Sequence, residues 1–547
     1  MNSAFWQQLM FWSRLSNAKP ISSAANLGQS TKHKHLLTGL VHVLTVIAAS
    51  LLGGSPIIRT RFLGDDLEVW NAAKIGEYPT SIQSSLTFAG IDKWRPLNSL
   101  AMQAILRSFK DVYSNYWIFS WVLLLVLGAV VHYAHRKLFY IDNHRFPSSS
   151  WIGVVIVLSS PFTFMARSGI NGFLEISPII LCVISYVVFD SSTKSLTKLP
   201  IVYSALLALC AGLIHERYFA FSVAMALVAI SRSRKYRYVR GMWLVFLGNG
   251  IFYIYSAVVV LRLNVFKGGG ADALNEVIGF WIIPHSFHAL IHLFGGSGAE
   301  TTYFDIEKPE NLYQGLTLVE EYNLLFPVSI LCICIGAVFL KTLAWKRRTP
   351  TSNEARVGVI ERYTTRTLVE ITGISFALLV PAATINSRLE ARWLFGSLVF
   401  LVILLGGLAS SDSHASRNLA RGILAILFVA NVLGRWSYAE FDWWRTRSER
   451  VLTTVEQLAP EAGTWELAII VPDYPDENNS VVWWGLNYGR AFINYLNNAP
   501  NGIYFGEHDV VSSCNRPCLV LTVQDDRRNR QEIDIADNQT IVYRWLK

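Results

Sequence analysis

Long apolar stretches recur along most of this 547-residue chain, and they constrain its fold more than any other feature. Hydrophobic residues make up 52% of the sequence and charged residues only 16%, and the mean hydropathy is +0.33. A surface with so few charged side chains has to face lipid, which excludes an ordinary soluble globular protein. The composition therefore predicts a polytopic α-helical membrane protein.

About eleven stretches have the length and composition of transmembrane helices. They are Leu36–Gly53, Tyr116–Tyr133, Trp151–Phe164, Gly172–Phe189, Ile201–Ile214, Phe219–Ile230, Trp243–Leu261, Leu324–Leu340, Leu368–Thr384, Leu394–Leu408 and Leu419–Leu433. Merging or splitting the short stretches would change this number by about one or two.

Basic residues fall on alternate loops, and such loops stay cytoplasmic. The clusters are His135-Arg136-Lys137 with Arg145; Arg232, Arg234, Lys235, Arg237 and Arg240; Lys346-Arg347-Arg348 with Arg356 and Arg362; and Arg417 with Arg421. This bias predicts a cytoplasmic N-terminus and an outer C-terminal region. It also accounts for most of the net charge of +9, so no nucleic-acid partner is predicted.

The predicted topology divides the chain into three regions. Residues 1–35 form a cytoplasmic interfacial segment, 36–434 form the membrane domain with outer loops 54–115 and 262–322, and 435–547 form a small mixed α/β domain on the outer, periplasmic side. In this last region the pattern predicts strands at Glu466–Val471, Cys518–Val523 and Thr540–Trp545 and a helix at Trp483–Leu496. Cys514 and Cys518 suit a local disulfide there, with metal binding as the weaker alternative.

The first outer loop contains an acidic pair, Asp65 and Asp66, directly after the first apolar stretch. Two adjacent carboxylates at the membrane boundary are candidates for a general base, because repulsion between them helps one to accept a proton. The alternative is that they only cap a helix. Lys93 and Arg95 follow in the same loop and are candidates for binding an anion.

A second polar cluster, His215-Glu216-Arg217, lies between two apolar stretches at the predicted outer boundary. Ionisable residues at that depth need a cavity or a partner, so they are candidates for binding a phosphate. The alternative is a salt bridge that closes a helical hairpin. Arg167 and Glu175, on a nearby outer turn, are interpreted as an ordinary hairpin pair, with a role in the donor site as the alternative.

A third cluster, Arg388 to Trp393, enters the tenth apolar stretch, also at the outer side. Arg388 and Arg392 suit phosphate because the guanidinium donates hydrogen bonds in pairs. The alternative is that both arginines snorkel at a helix end. Three aromatic residues beside these clusters are candidates for acceptor binding: Trp70, Trp94 and Tyr218. In the C-terminal region Trp483, Trp484, Tyr488 and Tyr495 suit stacking on sugar rings, with packing in the core of that region as the favoured alternative.

Taken in order, these motifs resemble the GT-C superfamily of polytopic glycosyltransferases that use lipid-phosphate sugars. Within it, the chain is similar to bacterial enzymes that decorate surface glycans such as O-antigen and lipopolysaccharide. The resemblance implies a catalytic aspartate at Asp65 or Asp66 and a donor-phosphate site at His215, Glu216, Arg217 and Arg392. Many members have Asp-Glu where this chain has Asp65-Asp66. The position of the base, and a divalent metal (Mg or Mn) with Asp66 as possible ligand, therefore stay open.

The predicted function is transfer of a monosaccharide from a polyprenyl-phosphate donor to a surface glycan or glycolipid acceptor. It would occur on the outer side of the bacterial inner membrane, by an inverting displacement with an aspartate base. The alternatives are a glycan polymerase or ligase with a polyprenyl-diphosphate-linked donor and, third, a lipid-linked glycan transporter or flippase. Transport ranks lower because the ionisable clusters lie at the outer rim and no paired repeats are visible.

Overall fold

The computed structural model describes a little over half of the chain, and within that part the protein is mostly helical with a small β-sheet. The described residues are 44–50, 65–88, 94–110, 112–139, 148–163, 170, 172–195, 197–262, 293, 304–305, 366–379, 388–389, 391–409, 414–438, 442–461, 463–471, 500–506, 508–515, 517–524 and 540–546.

After helical residues 44–50, thirteen further α-helices can be followed. They are α1 (Asp65–Lys74), α2 (Ile82–Thr87), α3 (Pro96–Phe109), α4 (Tyr113–Leu138), α5 (Ser148–Ser159), α6 (Gly172–Ser195), α7 (Leu199–Ile214), α8 (Phe219–Ser233), α9 (Trp243–Ile254, continued by a π-helical turn Tyr255–Val260), α10 (366–379), α11 (Phe395–Ala409), α12 (His414–Tyr438) and α13 (Asp442–Leu458). Short 3₁₀ turns at Pro161–Thr163, Glu216–Tyr218, Arg237–Val239, Ala391–Leu394 and His508–Ser513 connect some of these elements.

Among the described residues, three helical segments are long and apolar enough to cross a membrane: Tyr113–Leu138, Gly172–Ser192 and Arg237–Val260. Shorter apolar helices occupy Leu199–Ile214 and Phe395–Ala409. Helices lie on ten of the eleven predicted apolar stretches, and Leu324–Leu340 lies outside the described residues. The number of membrane spans and their orientation stay predictions.

Hydrogen bonds between small polar side chains join the apolar helices. Ser185 on α6 lies 2.9 Å from Ser204 on α7, measured between their hydroxyl oxygens. Ser375 on α10 and Ser397 on α11 are 3.1 Å apart in the same way. Asn249 on α9 donates from Nδ2 to the backbone carbonyl oxygen of Ala205 on α7 at 3.0 Å. Small polar residues let helices approach closely and satisfy each other in an apolar setting.

A buried ion network, formed by Tyr186, Asp190, Arg232, Arg366 and Glu370, joins α6, α8 and α10. Arg232 donates to Glu370 Oε1 and to Asp190 Oδ1, each at 2.9 Å, and also contacts Glu370 Oε2. Arg366 donates to the same Oε1 at 2.9 Å, and the Tyr186 hydroxyl donates to Oε2 at 3.0 Å. Two carboxylates thus balance two guanidinium groups, of which Arg232 is buried and Arg366 is 23% exposed.

The C-terminal region contains a four-stranded sheet of β3 (Glu466–Ile470), β4 (Ile503–Gly506), β5 (Cys518–Gln524) and β6 (Thr540–Leu546) in the order β4-β3-β5-β6. Strand β3 pairs parallel with β4 and β5, and β5 pairs antiparallel with β6. The three predicted strands are confirmed. The sequence analysis missed β4, a strand of only four residues, and the predicted helix Trp483–Leu496 lies outside the described residues.

One face of this sheet shares a hydrophobic core with the helices of the first predicted outer loop. The cluster contains Leu67 and Trp70 of α1, Met102 and Leu106 of α3, Tyr113 and Tyr116 of α4, Val451, Leu452 and Val455 of α13, and Leu467, Ile469, Leu519, Leu521 and Val523 of the sheet. The apolar burial that stabilises the C-terminal sheet therefore also holds α1 and α3 in place. On the other face, Ala468, Ile470 and Val520 pack against Val511.

The remaining small elements are a disulfide and a two-residue ladder. Cys514 and Cys518 are disulfide-bonded, with their Cα atoms 6.1 Å apart, at the start of β5. Strands β1 (Phe304–Asp305) and β2 (Arg388–Leu389) pair antiparallel, with Asp305 opposite Arg388. The boundary between the predicted domains at residue 435 stays a prediction.

Candidate functional site

Arg95 and Glu216 form a two-pronged ion pair although they are 121 residues apart in the sequence. Arg95 Nε donates to Glu216 Oε2 at 2.5 Å, and Nη2 donates to Oε1 at 2.6 Å. Arg95 directly precedes Pro96, which begins α3 because proline suits the first helical position. The pair therefore attaches the start of α3 to the turn between α7 and α8.

That turn is sharp, which explains why it presents several polar side chains together. Helix α7 ends at Ile214, His215 is extended with φ −147° and ψ 119°, and one 3₁₀ turn leads into α8 at Phe219. The reversal brings the Phe219 ring onto Gly212, where an added Cβ would lie 2.5 Å from ring atom Cζ. Glycine at 212 is thus required for this close approach.

His215 is fixed in one tautomer by its two neighbours. Its Nε2 lies 2.8 Å from Arg217 Nη2, and a guanidinium only donates, so Nε2 accepts. The ring proton is then on Nδ1, which lies 3.2 Å from Glu216 Oε2, and in this tautomer the 3.4 Å contact from the Arg217 backbone N–H to Nδ1 is not a hydrogen bond. Glu216 therefore orients His215, and His215 orients Arg217.

The electrostatics of the turn agree with this assignment. Burial, and then the positive charge of Arg217, hold the pKa of His215 well below its usual value, so the imidazole is neutral. Burial alone would raise the pKa of Glu216, but Arg95 and His215 outweigh it and hold that pKa well below its usual value. The cluster thus contains an ionised carboxylate and a neutral histidine.

Glu175 and Trp393 complete the surroundings of Arg217. Glu175, in the first turn of α6, is 3% exposed, and its Oε2 lies 3.5 Å from Arg217 Nη1. The Trp393 ring, in the 3₁₀ turn before α11, has Arg217 Cζ 5.4 Å from its centre. The structure therefore brings together the end of the first loop, the turn between α7 and α8, and the third cluster.

The sequence interpretation paired Glu175 with Arg167, and that pairing stays a prediction. Residue 167 lies outside the described part of the chain, and the structure shows Glu175 beside Arg217. The signal in the sequence is a carboxylate at the start of an apolar helix, because such a group needs a cation nearby.

The three aromatic acceptor candidates are all buried. Trp70, Trp94 and Tyr218 are 4%, 2% and 1% exposed. Trp94 donates from its indole nitrogen to the Leu86 carbonyl oxygen at 3.0 Å and packs against the Phe252 ring of α9. Trp70 belongs to the hydrophobic core shared with the sheet. Stacking on an acceptor sugar would require these rings to become exposed, and this role stays a prediction.

For four of the other site candidates the structure describes only the backbone, and Lys93 lies outside the described residues. Asp65 and Asp66 are the first two residues of α1, where a helix favours negative charge. Arg388 lies in β2 and Arg392 in the 3₁₀ turn before α11. The side chains of these four residues, and all of Lys93, lie outside the described part of the structure. Within that part, no group of three or more His, Cys, Asp or Glu side chains is placed to hold a metal ion.

Comparisons with known proteins add little beyond a distant likeness. No protein-family model matches the chain, and no curated protein matches it. Four chains among the solved structures match. One is the archaeal oligosaccharyltransferase AglB from Archaeoglobus fulgidus, in complex with an inhibitory peptide and a dolichol-phosphate, with 10% identity, a TM-score of 0.38, and coverage of 89% of this chain and 70% of that chain. A TM-score this low assigns neither a fold nor a function to this chain.

Proposed function

We propose that the protein is a membrane glycosyltransferase of the GT-C type. It moves a monosaccharide from a polyprenyl-phosphate donor to a surface glycan or glycolipid acceptor on the outer side of the bacterial inner membrane. The support comes from the residues themselves: apolar helices, an acidic pair that opens α1, and a cluster of arginines, carboxylates and one histidine.

The observation that carries the proposal is the meeting of Arg95, Arg217 and Trp393, which come from three distant stretches of sequence. In transfer from a lipid phosphate, the leaving group departs as an anion and needs charge stabilisation rather than a proton. Two partly buried guanidinium groups held by fixed partners provide this without reorganisation. Neutral His215 provides no positive charge, so we assign it to positioning.

Arg217 is the residue that we assign to direct contact with the donor phosphate. Its 3.5 Å contact with Glu175 is long for a hydrogen bond, so a phosphate oxygen replaces it at little cost. Glu216 holds Arg95 on one side and His215 on the other. Lys93, Arg388 and Arg392 remain assigned to the same phosphate by the sequence alone.

The catalytic base is assigned to Asp65 or Asp66. Both open α1, and α1 shares its buried core with α3, whose first residue follows Arg95. One carboxylate takes the proton of the acceptor hydroxyl, the hydroxyl oxygen attacks the anomeric carbon, and the bond from that carbon to the phosphate oxygen breaks. The polyprenyl phosphate leaves with the bonding electron pair, and the single displacement inverts the anomeric carbon. Asp66 is also the candidate ligand for Mg or Mn, and no step depends on that metal.

The test is transfer from a radiolabelled polyprenyl-phosphate sugar by the full-length protein in proteoliposomes. Asp65→Asn and Asp66→Asn are compared with Glu77→Gln, an exposed acid after the end of α1. We expect one aspartate variant to lose at least about a hundredfold in rate and the control to stay within about twofold of wild type. Full activity in both aspartate variants would remove the proposed base. Preference for a polyprenyl-diphosphate-linked glycan in a donor competition would instead assign the chain to the polymerase or ligase class.

A further inference from the structure

The turn between α8 and α9 carries four exposed basic side chains, Arg234, Lys235, Arg237 and Arg240. Residues 231 to 262 contain no aspartate or glutamate. Within the described part of the chain, none of the four forms an ion pair. Like charges so close together raise a positive potential that favours an anion.

The two helices that flank this turn present apolar side chains to the outside. On α8, Val223 and Leu227 are 48% and 63% exposed, and on α9 Leu244 and Ile251 are 56% and 64% exposed. Apolar helix faces that end in a belt of cations are typical of the boundary between the hydrocarbon and the headgroups of a membrane. An anion at this position is therefore carried by a lipid.

Tyr236 gathers two cations from separate stretches of the chain. Lys235 Nζ lies 5.5 Å from the centre of its ring, and Arg366 Cζ lies 5.8 Å from it. Arg366 is held in place by the bond from its Nε to Glu370. Its Nη2 is buried and has no hydrogen-bond partner among the described residues. A guanidinium oriented by a carboxylate on one edge, with donors left over, suits a phosphate oxygen.

We propose that the α8–α9 turn binds an anionic phospholipid, whose headgroup phosphate lies between Lys235 and Arg366 beside Tyr236. Arg234, Arg237 and Arg240 supply the surrounding positive charge. This site is separate from the candidate donor site and does not depend on the proposed function. Because Glu370 joins Arg366 to the buried ion network, the lipid also reinforces the contact between α8 and α10.

The experiment measures lipid binding to the delipidated full-length protein in a neutral detergent, by native mass spectrometry and by the shift of the unfolding temperature. Phosphatidylglycerol is compared with phosphatidylcholine and with inorganic phosphate. The variant Lys235→Gln with Arg237→Gln removes two exposed charges from the turn. Its matched control, Arg107→Gln with Lys110→Gln, removes two exposed charges around the end of α3.

We expect phosphatidylglycerol to bind wild type and the control with the same affinity. The turn variant should bind it about ten to thirtyfold more weakly, because each cation near a membrane surface contributes about 1 kcal/mol of binding free energy and the variant lacks two. Arg366→Lys, which keeps the charge but not the planar fork, should also weaken binding without unfolding the protein. Equal weakening in the control, equal binding of phosphatidylcholine, or the same thermal shift from inorganic phosphate would overturn the proposal.

Discussion

Two charge clusters in this molecule use the same chemistry in different settings. In the buried ion network, the side chains of Arg232, Asp190 and Glu370 are 1%, 2% and 5% exposed. The carboxylates of Asp190 and Glu370 accept short hydrogen bonds from Arg232. In the candidate donor site, Arg95 and Glu216 are 18% and 25% exposed. The first cluster has little access for a ligand, whereas the second is partly exposed at Arg95 and Glu216, and its Arg217 side chain is 10% exposed.

The contacts differ in the same direction as the exposure. Arg232 binds Glu370 with two nitrogens and Asp190 with one of them, all at hydrogen-bond distance. Among the described residues, Arg217 contacts His215 closely, at 2.8 Å, and Glu175 more loosely, at 3.5 Å. A buried pair with closed contacts holds helices together, while an arginine with a loose partner can exchange it for a substrate. Stability should therefore depend on the first cluster, and activity on the second.

The largest effect is expected from Arg232→Ala, because it removes the guanidinium from buried Asp190 and leaves Glu370 with Arg366. The free energy of unfolding should fall by about 3–5 kcal/mol, as for other buried pairs that lose one partner. Arg234→Ala, which removes an exposed arginine two residues away, should change it by less than about 0.5 kcal/mol. Denaturant unfolding in detergent micelles measures both variants. Similar values for the two would show that the network contributes nothing to stability.

Arg217→Lys is the corresponding test of the donor site. Lysine keeps the positive charge beside Glu175 but loses the donor pair that reaches a phosphate, so the transfer rate should fall about a hundredfold. The unfolding temperature should stay close to that of wild type. Arg421→Lys, at an exposed position on α12, is the control and should leave both quantities unchanged. A loss of stability without a loss of rate in Arg217→Lys would reverse the comparison between the clusters.

The apolar helices were predictable because an apolar stretch is a local property of the sequence, whereas α1, α2 and α13 were not predicted. The partners of the charged residues were not. Arg95 and Glu216 were each assigned to phosphate, and their contact with each other depends on how α3 packs against α7. Asp190 and Glu370 were missed, although a carboxylate within or beside an apolar stretch is itself a signal that a buried cation is near. Arg232 was counted only as a loop cation, since its burial depends on the meeting of α6, α8 and α10.

Within the candidate donor site, the Arg95–Glu216 pair differs from Arg217 because its two hydrogen bonds are short, although both side chains are partly exposed. A double-mutant cycle of Arg95→Gln, Glu216→Gln and the combined variant measures it. We expect a coupling energy of about 1–2 kcal/mol in unfolding, because the pair is two-pronged yet accessible to water. Additive effects of the two single changes would mean that the ion pair does not attach α3 to the turn after α7.

The smallest effect concerns pH and tests whether the donor site contains a neutral histidine. The pKa of His215 is lowered in the folded protein by burial and by Arg217, whereas in the unfolded chain it is about 6.5. The unfolded state therefore binds more protons below about pH 6.5, and stability should fall as the pH falls below that value. His215→Asn removes the titrating group and should flatten this part of the curve of unfolding temperature against pH. The same acid loss in wild type and variant would place the titration elsewhere. An increase in stability below pH 6.5 that the variant abolishes would show that His215 is charged in the folded state, and its Nε2 would then be unable to accept from Arg217.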